Sequence, residues 1–212
     1  MSLRLTGAIV LVLAPHTDDG ELGAGAAVSR LIRDGNKVHY AAFSACETVQ
    51  PPDARMRLHD ECRASTRKLG ISTDRVQIFD FEVRQFARDR QRILDTMVEL
   101  NKRLTPDLVI GPSMADTHQD HHVVAREARR AFKRTRLPGY EMPWNNFQFE
   151  STAFVSVDRT DADAKVAALA EYSTQASRTY MVRDYQEAQL RYRGVQMGVE
   201  FAEAFEVIRW FL

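Results

Sequence analysis

The stretch Ile9-Val10-Leu11-Val12-Leu13-Ala14-Pro15-His16-Thr17-Asp18-Asp19 decides the fold class. Its aliphatic run over 9–13, too short for a buried helix and rich in β-branched residues, predicts a buried strand. The run stops abruptly at Pro15-His16. A glycine-punctuated turn (Gly20, Gly23) follows, then a small-residue helix over 24–33, with Gly35 placed as its C-cap. Residues 37–43 carry β-type residues at both ends and supply a second strand. A strand, a helix and a strand in this order predict a parallel, helix-covered sheet.

The alternation continues outward from this unit. Helical spacing over 55–69 stops at Gly70, and 75–79 is strand-like. A long amphipathic helix over 89–104 ends before Pro106, and 107–111 is a short buried strand. Residues 123–132 are helical again. Further on, strands are expected over 152–157 and 205–211, with helices over 162–172 and 182–194. With no repeat, linker or low-complexity tract, 1–212 reads as one α/β domain. Its expected architecture is a Rossmann-like, open, mostly parallel sheet with helices on both faces.

Composition excludes several functions. The chain has 29 basic and 29 acidic residues among its 212 and so no net charge, which argues against a nucleic-acid partner. The apolar run Ala8 to Ala14 falls far short of the ~20 residues a membrane span needs. No basic region with a small-residue cleavage site surrounds it, so a cytoplasmic location is the expectation. Cys46 and Cys62 belong to no CxxC pattern and read as two buried, reduced thiols.

Two clusters carry chemistry, each just after a predicted strand, where ligands bind in open α/β sheets. In the first, His16, Asp18 and Asp19 crowd three proton- or metal-binding groups into four residues. Adjacent carboxylates raise each other's pKa, and a cation removes that cost. Helix capping by Asp18 or Asp19 is the plainer alternative. The second, Asp116-Thr117-His118-Gln119-Asp120-His121-His122, holds three of the chain's six histidines. At a helix start, His118 and His121 share a face. Capping by Asp116 or Thr117 explains the acid and the hydroxyl but not the histidines. Two imidazoles and a carboxylate would leave open positions on a divalent metal, as a catalytic site requires.

These residues make the chain resemble the LmbE-like, or PIG-L, family of zinc-dependent de-N-acetylases. Ala14 to Gly23 resembles the family's His-Pro-Asp-Asp-Glu signature followed by Leu-Gly. Asp116 to His121 is similar to its His-Pro-Asp-His signature. Glu61 to Ile71, Arg193-Gly194 and Ala202 to Phe205 add weaker matches, so that the likeness covers most of the chain. Thr17, Gln119 and Gly20 depart from the pattern: the first two replace prolines, and Gly20 stands where the family has Glu, with Glu21 one place later.

The resemblance implies a site. His16, Asp19 and His121 would bind Zn²⁺, with Fe²⁺ an alternative. Asp18 would be the general base towards the metal's water, His118 would stabilise the oxyanion, and Asp120 would orient a histidine from behind. The implied substrate is a small N-acetylated sugar or conjugate such as an N-acetylglucosamine derivative, and a homo-oligomer is compatible with the sequence. Trp144, Asn145 and Asn146, with Arg57, Arg84 and Arg193, are the candidate substrate rim. Two rivals stand beside this reading. One is a 2-His-1-carboxylate iron enzyme using His16 and Asp18 with Asp19 free. The other is a non-catalytic sugar- or nucleotide-binding module, although no GxGxxG marks a dinucleotide site.

Overall fold

The computed structural model describes residues 5–46, 48 and 56–211. The aliphatic run forms β1 (Ile9–His16), which carries on through Pro15 so that the first histidine is the strand's last residue. Parallel β2 (Lys37–Ser44) and β4 (Leu108–Pro112) flank it, with β3 (Val76–Ile78) outside β2 and β5 (Leu137–Tyr140) beyond β4. Antiparallel β7 (Phe201–Arg209) and then β6 (Ala153–Val157) complete a seven-stranded sheet of order 3-2-1-4-5-7-6. Strand order reverses between β1 and β4. Their carboxyl ends therefore splay apart into the crevice where such sheets bind ligands.

Alternation along β1 sends Val10, Val12 and Ala14 to one face and Leu11 and Leu13 to the other. The first face is covered by α1 (Asp19–Arg33), α2 (Arg57–Lys68) and α5 (Arg159–Leu169), the second by α3 (Arg90–Leu104) and α4 (Gln119–Ala131). The last helix, α6 (Arg183–Met197), packs Leu190 against Phe201, Val157, Ala162 and Ala26. Both cysteines are free, Cys62 buried and Cys46 half-buried. Among the described residues, no helix is long and apolar enough to cross a membrane.

Several boundaries differ from the expected ones for physical reasons. Helix α1 starts at Asp19 rather than 24, because Gly20 and Gly23 lie inside it and not in a turn. Their missing side chains make room for two buried tyrosines. A Cβ on Gly20 would lie 2.6 Å from the Tyr40 hydroxyl, and one on Gly23 would lie 2.3 Å from the Tyr140 ring. This also accounts for the glycine at position 20, since Tyr40 occupies the space a side chain would need. Helix α4 likewise starts at Gln119, four residues earlier than expected, so most of the second histidine cluster is helical. Strand β5 was not among the expected elements; Pro138-Gly139 would suit a turn, yet Gly139 is paired with Gly111 on one side and Glu206 on the other. Strand β7 begins at Phe201 rather than 205. Helix α2 was expected from Arg55, which lies outside the described residues, and begins at Arg57.

A buried ion pair ties α1 to α5 and β7. Lys165 of α5 donates to Glu203 of β7 and to the Leu22 carbonyl (both 2.7 Å), and Glu203 accepts from the Ala26 and Ala27 amides (3.2 and 2.7 Å). Pairing and full hydrogen bonding make two buried charges tolerable here. Helix α1 is thus held at its start and its middle by groups that admit little movement. Gly23→Ala should destabilise the protein by at least ~1 kcal/mol in urea unfolding, overpacking outweighing the gain in helix propensity. An unchanged or higher midpoint would show that the Tyr140 contact yields.

Candidate metal centre and active-site cavity

His16 ends β1, Asp18 is the N-cap residue of α1 and Asp19 its first residue. Asp18 makes no side-chain capping bond, so the capping alternative does not describe it. Asp19 accepts the His16 amide through Oδ2 (2.7 Å), which bends the chain sharply where strand becomes helix. Across the crevice, the loop after β4 leads into α4, with His118 at its N-cap and His121 in its first turn. Asp116 Oδ1 accepts the His118 amide (2.8 Å), fixing that entry.

The two turns meet. His16 Nδ1 lies 3.2 Å from Asp19 Oδ2, His121 Nε2 lies 3.1 Å from the same oxygen, and the two imidazole nitrogens are 3.4 Å apart. Ligands at the 2.0–2.1 Å typical of zinc in tetrahedral array would be about 3.3 Å apart, so this triangle fits one divalent ion. The backs of both rings are occupied. His16 Nε2 donates to Asp120 Oδ2 (3.0 Å) and His121 Nδ1 to Asp116 Oδ2 (2.7 Å). In those tautomers the free lone pairs are His16 Nδ1 and His121 Nε2, the two atoms of the triangle. Asp120 thus orients His16, as expected of a residue behind a ligand. Asp116 does the same for His121, a role that sequence reasoning assigned only to capping.

Without a cation, protons take its place. Burial disfavours charge on His16, but Asp19 and hydrogen bonds to Asp120 and Asp19 outweigh it and lift the imidazole to about 9. His121 rises to about 10, burial again losing to Asp19 and Asp116. Burial alone would raise Asp19, yet His121 and His16 hold it far below the usual carboxylate range. Asp18 behaves oppositely: burial and then the Asp19 charge push it up to about 6.

His118 also has a nitrogen within 4.8 Å of those of His16 and His121. Its Nδ1, however, accepts the Asp120 amide (3.2 Å) as the helix cap, so in the neutral ring the proton sits on Nε2. Burial, then His121 and His16, push its pKa down. The Asp19 triangle is therefore the tighter cluster, and His118 is a neutral N–H donor beside it. The close triangle contains Asp19 and not Asp18, the acid that the rival iron reading would use.

A cavity of about 420 Å³ opens over these groups, floored by His16, Asp18, Asp19, His118 and His121 and walled by Arg84, Trp144 and Asn145. Of the expected rim, then, Arg84, Trp144 and Asn145 are in place. Trp144 stacks on Tyr180 with centroids 4.1 Å apart and planes at 11°. Asn146 is instead buried, accepting the Met142 amide (2.7 Å). Arg193 does not reach the cavity: it is buried in a bidentate pair with Glu141, because α6 turns that face inward. Arg57 is exposed and does not line it. Sequence reasoning missed Gln175, Arg178 and Tyr180, which arrive on the α5–α6 connection. No local pattern marks them. A larger cavity of about 610 Å³ lies near the amino ends of β1 and β4, among Leu5, Leu31, Leu108 and Trp210, away from the histidines.

Glu21 points away from the cavity. It is fully buried, accepts from Ser65 Oγ (2.7 Å) and Tyr172 (2.9 Å), and bonds to Tyr40; burial lifts its pKa to about 7 despite those bonds. The hydroxyls of Tyr40 and Tyr172 lie 2.9 and 2.6 Å from the Thr17 carbonyl. This acid therefore braces the turn between His16 and Asp18 from beneath.

Comparison with known proteins places the chain among its relatives. YaiS of Escherichia coli strain K12, an uncharacterized deacetylase, is 27% identical over 169 residues, covering 78% of this chain and 90% of its own. Two solved structures share the fold. GalB, the 4-carboxy-2-hydroxymuconate hydratase of Pseudomonas putida KT2440, superposes with a TM-score of 0.82 at 19% identity, over 97% of this chain and 98% of its own. The N,N'-diacetylchitobiose deacetylase of Pyrococcus horikoshii gives 0.74 at 17% identity, over 95% and 84%. The family described as PIG-L: GlcNAc-PI de-N-acetylase matches residues 11–132, more than half the chain and a span holding both histidine clusters. This chain belongs to the PIG-L family.

Proposed function

We propose that the protein removes the acetyl group from an N-acetylated sugar or sugar conjugate of the N-acetylglucosamine kind. The observation that carries this reading is the 3.1–3.4 Å triangle of His16, Asp19 and His121, opening into a cavity beside an uncoordinated carboxylate, Asp18. Fold alone does not choose the reaction, since a hydratase shares it. Family membership and the YaiS likeness favour amide hydrolysis.

His16, Asp19 and His121 would hold a divalent ion, zinc in this reading, with iron(II) as the alternative. When bound, such an ion supplies Lewis acidity towards a carbonyl and towards water. Asp18, facing the same space, takes the proton from the attacking water and returns it to the nitrogen of the departing sugar. The amide carbon–nitrogen bond breaks, leaving acetate and a free amine. His118 Nε2–H donates to the oxygen that turns negative on the way. The Trp144–Tyr180 stack offers an aromatic face to the apolar side of the sugar. A non-catalytic binding module would have no use for a cavity-facing carboxylate set beside the triangle.

Metal analysis tests the ligand set. Asp19→Ala and His121→Ala should purify without the ion. Asp116→Ala should bind it 10- to 100-fold more weakly, as expected when a ligand loses its orienting carboxylate. Undiminished metal content in all three would overturn the site.

Acetate release from a panel of N-acetyl sugars tests the chemistry. Asp18→Asn should keep the ion and lower kcat by roughly 10²- to 10⁴-fold. His118→Ala should lower it by about 10²-fold. Full activity of Asp18→Asn would remove Asp18 from the mechanism.

A further inference from the structure

The two cations that line the active-site cavity, Arg84 and Arg178, have no acidic partner among the described residues, and their backbones are fixed. Arg84 has φ of 66°, a left-handed conformation that is unfavourable for a non-glycine residue. It is held there from both sides. Its amide donates to Asp120 Oδ2 (2.7 Å), the oxygen that also orients His16, and its carbonyl accepts from Gln119 Nε2 (3.0 Å). The metal-orienting acid thereby sets the position of this arginine at the rim.

Arg178 is positioned by a different set of contacts. The α5–α6 connection is tied to α2 by Glu61, which accepts from Ser173 Oγ (2.6 Å), the Thr174 amide (3.0 Å) and Thr174 Oγ1 (2.6 Å). Its far end is tied by the Trp144–Tyr180 stack and by Gln186 Nε2 donating to the Tyr180 carbonyl (2.6 Å). Between these anchors, the Arg178 amide donates to the Gln175 carbonyl (2.9 Å), and its carbonyl accepts from the Met181 amide (3.0 Å). Both arginine side chains are exposed at the rim while their backbones are held.

The acids of the cavity, Asp18 and Asp19, lie on its floor among the imidazoles. The rim is cationic. In a chain with no net charge, this separation gives the entrance a positive field with no compensating rim carboxylate among the described residues. A guanidinium bonds a neutral hydroxyl with one or two donors, but it pairs in a fork with a carboxylate or phosphate.

We propose that the sugar this enzyme cuts carries an anionic group, a carboxylate or a phosphate, away from its acetamide, and that Arg84 and Arg178 bind it at the rim. The nature of the sugar rests on the deacetylase reading; the charge does not.

Calorimetry on the metal-containing protein separates the two. The probes are the amine products, which share one amine: methyl glucosaminide (without an anionic group), glucosamine 1-phosphate, glucosamine 6-phosphate and carboxymethyl glucosaminide. At least one sugar bearing an anionic group should bind about fivefold or more tightly than the methyl glycoside, with a preference that shrinks as salt is raised. Arg178→Gln and Arg84→Gln should each bring that affinity down towards the methyl glycoside's value. Phosphate against carboxymethyl probes tells which anion is meant. Equal binding of all four sugars, or a preference that survives in both variants, overturns the proposal. Acetate release from the N-acetyl forms is read in parallel. A charge preference without acetate release would sink the deacetylase reading and leave this one standing; release without charge preference would do the reverse.

Discussion

The site depends on one contact: Asp19 Oδ2 touching both His16 Nδ1 and His121 Nε2, across a gap spanned by more than a hundred residues of chain. A buried carboxylate between two imidazoles is favourable only with positive charge present, whether as protons or as a cation. The surroundings are arranged so that a cation can replace the protons. Asp120 and Asp116 fix the outward-facing nitrogens, leaving a lone pair of each ring turned inward. The same two acids hold the loops behind the site, Asp120 through the Arg84 amide and Asp116 through the His118 amide.

The fold brings this contact about through the reversal of strand order between β1 and β4. Each strand ends at the crevice, and each is followed by a helix whose first turn carries one side of the Asp19–His121 contact. Helix α1 can approach the sheet closely because glycines face Tyr40 and Tyr140, and the hydroxyl of Tyr40, with that of Tyr172, then reaches the Thr17 carbonyl. Close packing of the helix and bracing of the turn from His16 to Asp19 are therefore the same feature. Glu21, one place beyond the family's usual acid, completes it from the core side rather than from the cavity.

Much of this was legible in the sequence where the information is local. The strand over 9–13, the helix ending at Gly35 and the two histidine clusters rest on periodicity and residue type, and the structure brings His16, Asp19 and His121 together. Boundaries failed where tertiary packing overrode local propensity. Glycines expected in a turn lie in a helix because tyrosines fill the space beside them, and Pro138-Gly139 pairs in a sheet interior. The rim was the least legible part. Arg193 is drawn into a buried pair by Glu141, fifty-two residues earlier in the chain, while Arg178 reaches the cavity on a connection whose path is set by Glu61. Neither fact has a signature within its own segment.

Metal-edge anomalous scattering from crystals of the protein grown with its metal tests the central claim most directly. A single strong peak within about 2.0–2.2 Å of His16 Nδ1, an Asp19 oxygen and His121 Nε2, with Asp18 left uncoordinated, is the result this account requires. A peak held by Asp18 in place of Asp19, or none between the two turns while metal is bound elsewhere, would contradict it.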